Sequence, residues 1–433
     1  MKISRRGFMG TSAAAFAATL APQSVLGAND RIRVCVVGVN GRGGSHIDGF
    51  GAIDNVEVAA LCDPDSRVLA RRGKYTQEKL GTKPKLYEDI RDVLADDSID
   101  AISIASPNHW HSLMAIWGAQ AGKDVYVEKP LSHNIWEGRQ LVEAVRKYDK
   151  IVMHGTQSRS DRRWLRDINL MHEGVIGEMY MAKGYTYKNG NRYAIGHGKP
   201  AKPPRHLNWD LWQGPADEKD YLEKENGRGL FVHYNWHWFW EYGNGETGNQ
   251  GVHQMDLAVW GMNRGLPVKV SSSGGRYVWD DDGETPNTQM SLFTYADGSQ
   301  LQFEVRNIGS YKEADNTTGN TFFCEGGYYT EKGGFFDYQG RRIAVEREHP
   351  ETEGAWKNFI NAVRSRDNAD NFATAEQGHL ACVHCHMGNI AYRVGKTLQF
   401  NPETERFIGD YSEEANKLVS RAYRGDFRVP KLV

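Results

Sequence analysis

The 433-residue chain has few cysteines and no excess of charge of either sign. Its five cysteines, at positions 35, 62, 324, 382 and 385, are too few and too scattered for the disulfide framework of a small secreted fold. Lys and Arg number 53 against 55 Asp and Glu, which gives a formal net charge of -2. This balance lacks the basic excess that nucleic-acid binding needs, so we expect no nucleic-acid partner.

Long apolar runs are also missing. No stretch approaches the ~20 apolar residues that a stable membrane-spanning helix requires, so we expect no membrane span. With 39% apolar and 25% charged residues, the chain has the composition of a globular protein. Its length is sufficient for two domains, each with its own core.

The first 28 residues have the pattern of an export signal. The paired arginines of Ser4-Arg5-Arg6-Gly7-Phe8-Met9 precede a short, weakly apolar stretch that ends in small residues near Ala28. Such a pair indicates the twin-arginine route, so we expect a periplasmic or otherwise exported protein. Removal of this segment, which contains Lys2, Arg5 and Arg6, would change the formal net charge to -5.

The residues after this signal predict a nucleotide-binding half. An apolar, β-branched run at 31–37 suits a buried parallel strand and ends in Gly38-Val39-Asn40-Gly41-Arg42-Gly43-Gly44, before a helical segment. This is a dinucleotide turn in which Asn40 occupies the place of the usual middle glycine. Gly38 would permit the tight turn, and Gly43 the close approach of the helix whose N-terminus faces a pyrophosphate.

Further strands and helices alternate after this turn. The strand-like run 56–62 ends at Asp63, where an acidic side chain receives the ribose hydroxyls of adenosine. Asp65 adds negative charge that favours NAD over NADP, whereas Arg67 argues mildly for NADP. The alternation of a doubly wound parallel sheet is completed by strands at 101–105 and 123–127 and by helices at 66–80, 88–96, 111–121 and 136–149.

At Glu128-Lys129-Pro130 the chain resembles the Gfo/Idh/MocA oxidoreductase family, named for glucose-fructose oxidoreductase and inositol dehydrogenase. The resemblance also rests on the Gly38 turn, Asp63, Pro107-Asn108 with His111, Gly174-Val175-Ile176-Gly177 and the segment 248–256. It implies an α/β protein with an N-terminal Rossmann domain and a C-terminal α+β domain that has an open, mostly antiparallel sheet. In this family the sheet covers the nicotinamide and commonly mediates oligomers, so a homo-oligomer is expected.

The resemblance implies a division of the chain into four segments. These are the signal (1–28), the NAD-binding domain (29–155), the substrate and oligomerisation domain (156–395) and a C-terminal tail that packs on the body (396–433).

The resemblance also implies roles for single residues. Lys129 matches the family's catalytic lysine, and His253 matches the histidine taken as the general base. Asn249 stands where the family usually has an aspartate, and Glu246 and Asp256 are the two acids that could compensate. The residues expected to bind the cofactor are Gly38, Asn40, Gly41, Arg42, Gly43, Asp63, Arg67, Ser106, Pro107, Asn108, His111, Glu128, Lys129, Gln157 and Arg159.

Oxidation of a secondary alcohol explains why these residue types are needed. A neutral histidine can accept the hydroxyl proton, and a lysine ammonium beside the same oxygen stabilises the developing alkoxide. Lys129 and His253 would therefore hold one hydroxyl from both domains. Aromatic rings stack on the C–H surfaces of sugars, and the expected substrate contacts besides these two residues are Tyr185, Trp236 and His237.

The segment Cys382-Val383-His384-Cys385-His386 matches the c-type haem attachment pattern. It falls in a stretch, 376–394, with helical periodicity, and residues 382, 385 and 386 lie on one helix face, as core residues do. We therefore expect buried helix packing here, neither haem nor a metal site built with His379.

Three functions are compatible with these residues. The first is an exported oxidoreductase that transfers a hydride from a secondary hydroxyl of a sugar or glycoside, for example at C3, to tightly bound NAD. A carbonyl compound or second carbohydrate would then reoxidise the cofactor.

The second is a redox-neutral glycosidase, as in the family's NAD-dependent N-acetylgalactosaminidase branch, in which oxidation at C3 permits elimination of the aglycone and the hydride then returns. The dehydrogenase form of Glu128-Lys129-Pro130 favours the first function. The third is a non-catalytic sugar-binding protein, for which Asn249 is the only sign.

Overall fold

The computed structural model describes residues 31–188, 193–309 and 311–433. The export signal expected at residues 1–28 lies outside these ranges. Across the three ranges no helix is both long and apolar enough to cross a membrane.

The N-terminal half contains a six-stranded sheet whose paired strands are all parallel. Its strands β1 to β6 are Ile32–Val37, Val56–Cys62, Lys85–Tyr87, Ala101–Ile104, Asp124–Glu128 and Val152–Gly155. The alternating helices α1 to α5 are Gly43–Gly51, Ser66–Leu80, Ile90–Leu94, Asn108–Gln120 and Ile135–Tyr148. The order β3-β2-β1-β4-β5-β6 reverses between β1 and β4, as in a doubly wound nucleotide-binding sheet.

The local sequence explains these elements. Strands β1 and β4 are apolar runs with nearly every side chain buried, because helices cover both faces of the sheet. Helix α2 begins where the side chain of Asp65 accepts hydrogen bonds from the backbone amides of Arg67 and Val68. The strand expected at 56–62 and the helix expected at 66–80 are confirmed. Strand β3 was not expected, since it is a short edge strand without an apolar run.

The C-terminal half is built on a ten-stranded sheet. Helix α6 (Arg162–His172) connects the two halves. A long insertion follows the first strand of the sheet, β7 (Met179–Tyr187). It contains helix α7 (Trp209–Gln213) and a two-stranded ribbon, β8 (Lys199–Pro200) with β9 (Leu222–Glu223). The strands of the sheet are β7 and β10 to β18: Met179–Tyr187, Lys269–Gly275, Thr288–Thr294, Gln300–Arg306, Thr318–Cys324, Gly327–Thr330, Gly334–Phe336, Arg342–Ile343, Leu398–Asn401 and Arg406–Ile408. The remaining helices α8 to α12 are Gly245–Gly248, Gly251–Met262, Ala355–Ser365, Ala375–Val394 and Ser412–Asn416.

The sheet order is β16-β15-β14-β13-β7-β12-β11-β10-β17-β18. All pairs are antiparallel except β12 with β7, so the sheet is mostly antiparallel, as expected. Helix α9 packs against this sheet at short range because two of its glycines face aromatic rings. A Cβ on Gly261 would lie 2.4 Å from the ring of Phe322, and one on Gly251 would lie 3.0 Å from that of Phe303. The fold is therefore the expected α/β architecture with two sheets.

Helix α10 lies far along the chain but packs on the nucleotide-binding half. The Phe359 side chain is fully buried, with ring centroids 6.1 Å from Phe50 and 5.9 Å from Tyr126. The expected division places this helix in the substrate domain, 156–395, whereas its apolar face belongs to the core of the first sheet. A helix that docks by long-range contacts gives no sign of its partner in its own sequence.

The C-terminal tail contacts both halves. Strands β17 and β18 extend the ten-stranded sheet at one edge. Beyond them, Arg421 donates to the buried carboxylate of Glu137 at 2.9 Å and to the carbonyl of His109 at 2.8 Å. The ring of Phe427 lies 5.4 Å from that of Trp110. The last residues therefore pack on helices α4 and α5 of the nucleotide-binding half.

The packing of α10 predicts a stability difference between two phenylalanines. Phe359→Ala should lower the free energy of unfolding by about 3–5 kcal/mol, because it leaves a cavity in the first core. Phe372→Ala, at a ring that is 37% exposed, should cost no more than about 0.5 kcal/mol. Urea unfolding followed by tryptophan fluorescence measures both, and equal losses would contradict this assignment of α10.

Candidate active site

A cleft of about 380 Å³ opens where the carboxyl ends of β1, β2, β4 and β5 meet the second domain. Ligands of open α/β sheets bind at this end of the strands. The expected site residues that line the cleft are Gly38, Asn40, Gly41, Arg42, Asp63, Ser106, Pro107, Asn108, His111, Glu128, Lys129, Gln157, Trp236, His237, Asn249 and His253. The structure therefore brings together most of the residues singled out from the sequence.

The glycine turn after β1 is shaped for a closely approaching ligand. Gly38 has φ of +79°, and a Cβ there would lie 2.7 Å from backbone atoms of Ala105 and Ser106. A Cβ on Gly43 would lie 2.2 Å from the carbonyl oxygen of Gly38, so Gly43 acts behind the cleft wall rather than in it. Together with the N-terminus of helix α1, where the helix dipole favours negative charge, this cradle fits the pyrophosphate of a dinucleotide.

Asn40 replaces the usual middle glycine without strain, because it is not among the residues with positive φ. Its side-chain oxygen accepts a hydrogen bond from Arg71 at 2.6 Å, and its carbonyl accepts one from Arg72 at 2.9 Å. The side chain is thus held toward helix α2, and the turn remains open.

Asp63 ends β2 at the adenosine side of the cleft. Its carboxylate accepts hydrogen bonds from the amides of Val39 at 2.9 Å and Asp65 at 3.0 Å, and burial raises its pKa to about 6. Asp65 does not face the cleft, since it caps α2 and contacts His233 at 3.1 Å. Of the two carboxylates, Asp63 is therefore the one that lines the cleft, and Asp65 lies directly behind it.

The insertion between β7 and α8 covers this side of the cleft. Asn208 donates to Glu88 at 2.7 Å and to the backbone of Pro64, and His233 contacts Asp65. These contacts tie the insertion to the ends of β2 and β3. Cleft residues that the sequence analysis did not predict include Glu88, Asp89, Trp110, Leu211 and His233. No local sequence motif marks these residues.

Glu128 organises the floor of the cleft beside Lys129. Its carboxylate accepts hydrogen bonds from Arg42 at 2.8 Å and Gln157 at 3.1 Å, and it lies 3.0 Å from Nε2 of His46. Burial acts to raise its pKa, but the hydrogen bond and charge of His46 and the charge of Arg42 hold that pKa well below its usual range. His46 was missed by sequence reasoning, although its place three residues after Gly43 puts it on the same face of α1.

His111 joins the two loops that carry the site. Its Nδ1 lies 2.7 Å from the carbonyl of Pro130, and its Nε2 lies 2.8 Å from that of Ser106. The imidazole thereby fixes the segment with Lys129 relative to the loop after β4.

Lys129 lies at the junction of the two halves. Its Nζ donates to the backbone carbonyl of Asn249 at 2.7 Å and to the side-chain oxygen of the same residue at 3.2 Å. Burial lowers the pKa of Lys129 to about 8, against the attraction of Glu128 and Glu246. A lysine in this state can both carry charge and release a proton near neutral pH.

His253 begins helix α9 and faces the same cleft. Its Nδ1 lies 3.2 Å from the carbonyl of Thr156, which can only accept, so we assign the proton of the neutral ring to Nδ1. Burial and the charge of Lys129 lower the pKa of His253 to about 3. Nε2 of the neutral ring is therefore unprotonated and can accept a hydrogen bond or a proton.

The two acids considered as substitutes for the missing aspartate have different partners. Asp256 forms an ion pair with Arg159 at 2.9 Å and accepts from Thr156 at 3.0 Å, so its carboxylate is engaged elsewhere. Glu246 accepts a hydrogen bond from the side-chain amide of Asn249 at 2.9 Å.

Besides Gly43, three expected site residues do not line the cleft. Arg159 is buried in its ion pair with Asp256, Arg67 is exposed on α2, and Tyr185 donates to the carbonyl of Glu313 at 2.7 Å on the sheet. Arg159 and Tyr185 have partners that are distant in the sequence, so local patterns do not show them. Trp236 and His237 do line the cleft, with rings stacked 3.6 Å apart.

The haem-like segment lies in the middle of helix α11, where Cys382 and Cys385 are fully buried. The sulfur of Cys382 accepts from the amide of Leu131 at 3.2 Å, and that of Cys385 lies 3.5 Å from the carbonyl of Thr247. Over the described ranges, no group of three or more His, Cys, Asp or Glu side chains is placed to hold a metal ion. The expected helix packing is confirmed.

Both halves of the chain match models of one protein family. Residues 32–156 match the Gfo/Idh/MocA model described as "Oxidoreductase family, NAD-binding Rossmann fold". Residues 178–429 match the model described as "Oxidoreductase family, C-terminal alpha/beta domain".

Curated relatives and solved structures resemble the chain to different extents. A glycosyl hydrolase family 109 protein of Shewanella baltica is 32% identical over 178 residues, 38% of this chain and 39% of that protein. A protein of the same name from Shewanella pealeana is 30% identical over 285 residues, 54% and 61% of the two chains. The alignments thus span about two fifths to three fifths of these relatives.

Two solved structures share the fold. The WlbA dehydrogenase of Bordetella pertussis, in complex with NADH and UDP-GlcNAcA, has a TM-score of 0.63 at 19% identity, over 86% of this chain and 99% of that one. The scyllo-inositol dehydrogenase of Lactobacillus casei, with bound NAD(H) and scyllo-inositol, has a TM-score of 0.59 at 16% identity, over 85% and 99%.

The glycine cradle predicts a sharp difference between two glycine substitutions. Gly43→Ala should weaken NAD binding at least tenfold, because its Cβ would force Gly38 away. Gly122→Ala should bind NAD as the wild type does, since Gly122 does not line the cleft and a Cβ there meets no atom within 4 Å. Titration calorimetry of the apoprotein measures both, and equal affinities would contradict the cradle.

Proposed function

The chain belongs to the Gfo/Idh/MocA oxidoreductase family and contains its NAD-binding Rossmann domain, and from this membership we propose that it oxidises a secondary hydroxyl of a sugar or glycoside, for example at C3. The observation that carries the proposal is the meeting of Lys129 and His253, from the two halves, in one cleft.

The residues of the cleft fit NAD, which would lie along the strand ends. The turn from Gly38 to Gly43 would hold the pyrophosphate, Asp63 the ribose hydroxyls, and Glu128 with Gln157 would flank the nicotinamide end. Bound NAD supplies a hydride acceptor. The insertion tied to β2 and β3 would retain the cofactor between turnovers, which suits an enzyme that regenerates it in place.

Proton handling falls to the two residues at the junction. The unprotonated Nε2 of His253 accepts the hydroxyl proton while the carbon loses its hydride, so the alcohol becomes a carbonyl. The ammonium group of Lys129 stabilises the negative charge that develops on the oxygen. Because burial weakens competing solvation, this charge stabilisation is stronger than it would be in water.

The sugar would lie against the stacked pair of Trp236 and His237. Apolar ring faces cover the C–H surface of a sugar, while polar edges bond its hydroxyls. These two residues, with Lys129 and His253, are the proposed substrate contacts.

The names of the curated relatives favour a second candidate, a redox-neutral glycosidase. Oxidation at C3 would acidify the C2 proton, and its loss would expel the aglycone and leave an enone. Water would then add at C1 with return of a proton to C2, and the hydride would reduce the C3 carbonyl again. Both candidates share the first step at Lys129 and His253. Mixing the purified protein with sugars and aryl glycosides separates them: net reduced nicotinamide supports the oxidoreductase, and aryl alcohol released without it supports the glycosidase. Binding without either product would indicate a sugar-binding protein.

We also propose export by the twin-arginine route and a homo-oligomer formed through the open sheet. The first rests on the sequence of residues 4–9 and the second on the resemblance to the family.

The proposed role of Lys129 predicts that its substitution affects hydride transfer but not NAD binding. Lys129→Ala should lower the rate of cofactor reduction by at least a hundredfold while NAD stays bound, because only the charge at the reacting oxygen is lost. Absorbance of reduced nicotinamide in a single turnover measures the rate, and normal reduction by this variant would overturn the assignment. Lys199→Ala, at an exposed ribbon lysine, is the control.

The pH profile follows from the same two residues. Activity that needs charged Lys129 should be full below its pKa of about 8 and fall as the pH rises through that value. His253, with its pKa near 3, should produce no change around pH 6.5. A single-turnover profile from pH 5 to 10 tests this, and a rise in activity centred on pH 6.5 would show that the histidine titrates normally.

A further inference from the structure

Glu246 lies one side chain away from the catalytic lysine. Nζ of Lys129 can only donate, and an ionised carboxylate can only accept. The Asn249 amide forms a hydrogen bond with each of these groups: its oxygen accepts from Lys129 at 3.2 Å, and its nitrogen donates to Glu246 at 2.9 Å. The contacts therefore define the orientation of this amide.

We propose, on the basis of the function proposed above, that Glu246 is a positioning residue of the acid–base site, which orients the Asn249 amide and supplies the negative charge that an aspartate at 249 would otherwise bring. The Glu246 side chain is 1% exposed, and burial raises its pKa against the opposing effects of Lys188, the Asn249 amide and Lys129. When this carboxylate is ionised, its charge acts on Lys129 through low-dielectric surroundings.

The hydrogen bond between Asn249 and Glu246 also explains why asparagine is present at position 249. An aspartate there would put a second carboxylate within 2.9 Å of Glu246, and two such groups cannot both ionise when buried. One charge and one amide give a continuous chain of hydrogen bonds, from Lys129 to Asn249 to Glu246. Asp256 cannot take this role, because it is held by Arg159.

The groups that set the charge state of Lys129 come from several elements. The carboxylates of Glu128 and Glu246 raise its pKa, while the cations Lys188 and Arg42 lower it. His253 also faces the lysine but is neutral above pH 4, given its pKa of about 3. Loss of the Glu246 charge should therefore lower the pKa of Lys129, whether the lysine acts as a cation or as a proton carrier.

The first test is Glu246→Gln, which keeps the size and an acceptor for Asn249 but removes the charge. The midpoint of the single-turnover pH profile should move down by about one pH unit. Glu331→Gln, at a partly buried carboxylate paired with Arg163, is the matched control and should leave the midpoint unchanged. Circular dichroism and NAD content show that each variant is folded and loaded.

The second test exchanges the two side chains. Asn249→Asp alone should lower the single-turnover rate at least tenfold, because it opposes two carboxylates. The double variant Glu246→Gln with Asn249→Asp should recover to within about threefold of the wild type, because the amide and the charge have only changed places. A double variant no faster than Asn249→Asp would overturn the proposal.

A third readout does not depend on turnover. Competitive acetylation of Lys129 by trace acetic anhydride, measured by mass spectrometry against pH, reports the pKa of the lysine directly. The pKa of Lys129 should fall in Glu246→Gln and return to or above the wild-type value in the double variant. An unchanged value in Glu246→Gln overturns the role of Glu246, even if the protein reduces cofactor as proposed. A shifted value with no turnover on any sugar would instead reject only the proposed function.

Discussion

A buried lysine between two domains is the constraint on which the rest of the site depends. Lys129 is carried by the first sheet, but its ammonium group is bonded to the backbone and side chain of Asn249 in the second half. A charge in such a place requires nearby partners, since isolated buried ions are strongly disfavoured. Glu128 and Glu246 are the carboxylates that provide them. In the proposed reaction, the burial that makes the charge costly would also make it effective on a substrate oxygen.

The surroundings of the lysine keep it in this position. His111 links the loop of Pro130 to that of Ser106, and the Arg159–Asp256 ion pair joins the segment after β6 to helix α9, which carries His253. At the other end of the cleft, the insertion is anchored to Asp65 and Glu88. The cleft is therefore formed by both halves, and its two ends are fixed independently.

Local sequence patterns predicted the elements that are determined by neighbouring residues. The strand at Val56–Cys62, the capped helix that follows it and the strained turn at Gly38 each follow from a few consecutive residues. Contacts between residues far apart in the sequence determine the other features, which the sequence analysis did not predict. Helix α10 docks on the first core through Phe359, Arg159 is taken by Asp256, and Tyr185 turns to Glu313. The departure at Asn249 was visible in the sequence, but its partner Glu246 could be chosen over Asp256 only from distances.

The most direct test is a crystal structure of the protein with NAD and a sugar that reduces the bound cofactor. We predict that one substrate hydroxyl oxygen lies within about 2.6–3.2 Å of both Nζ of Lys129 and Nε2 of His253. A sugar bound in the cleft with that oxygen in contact with neither residue, or a sugar bound outside the cleft, would contradict it.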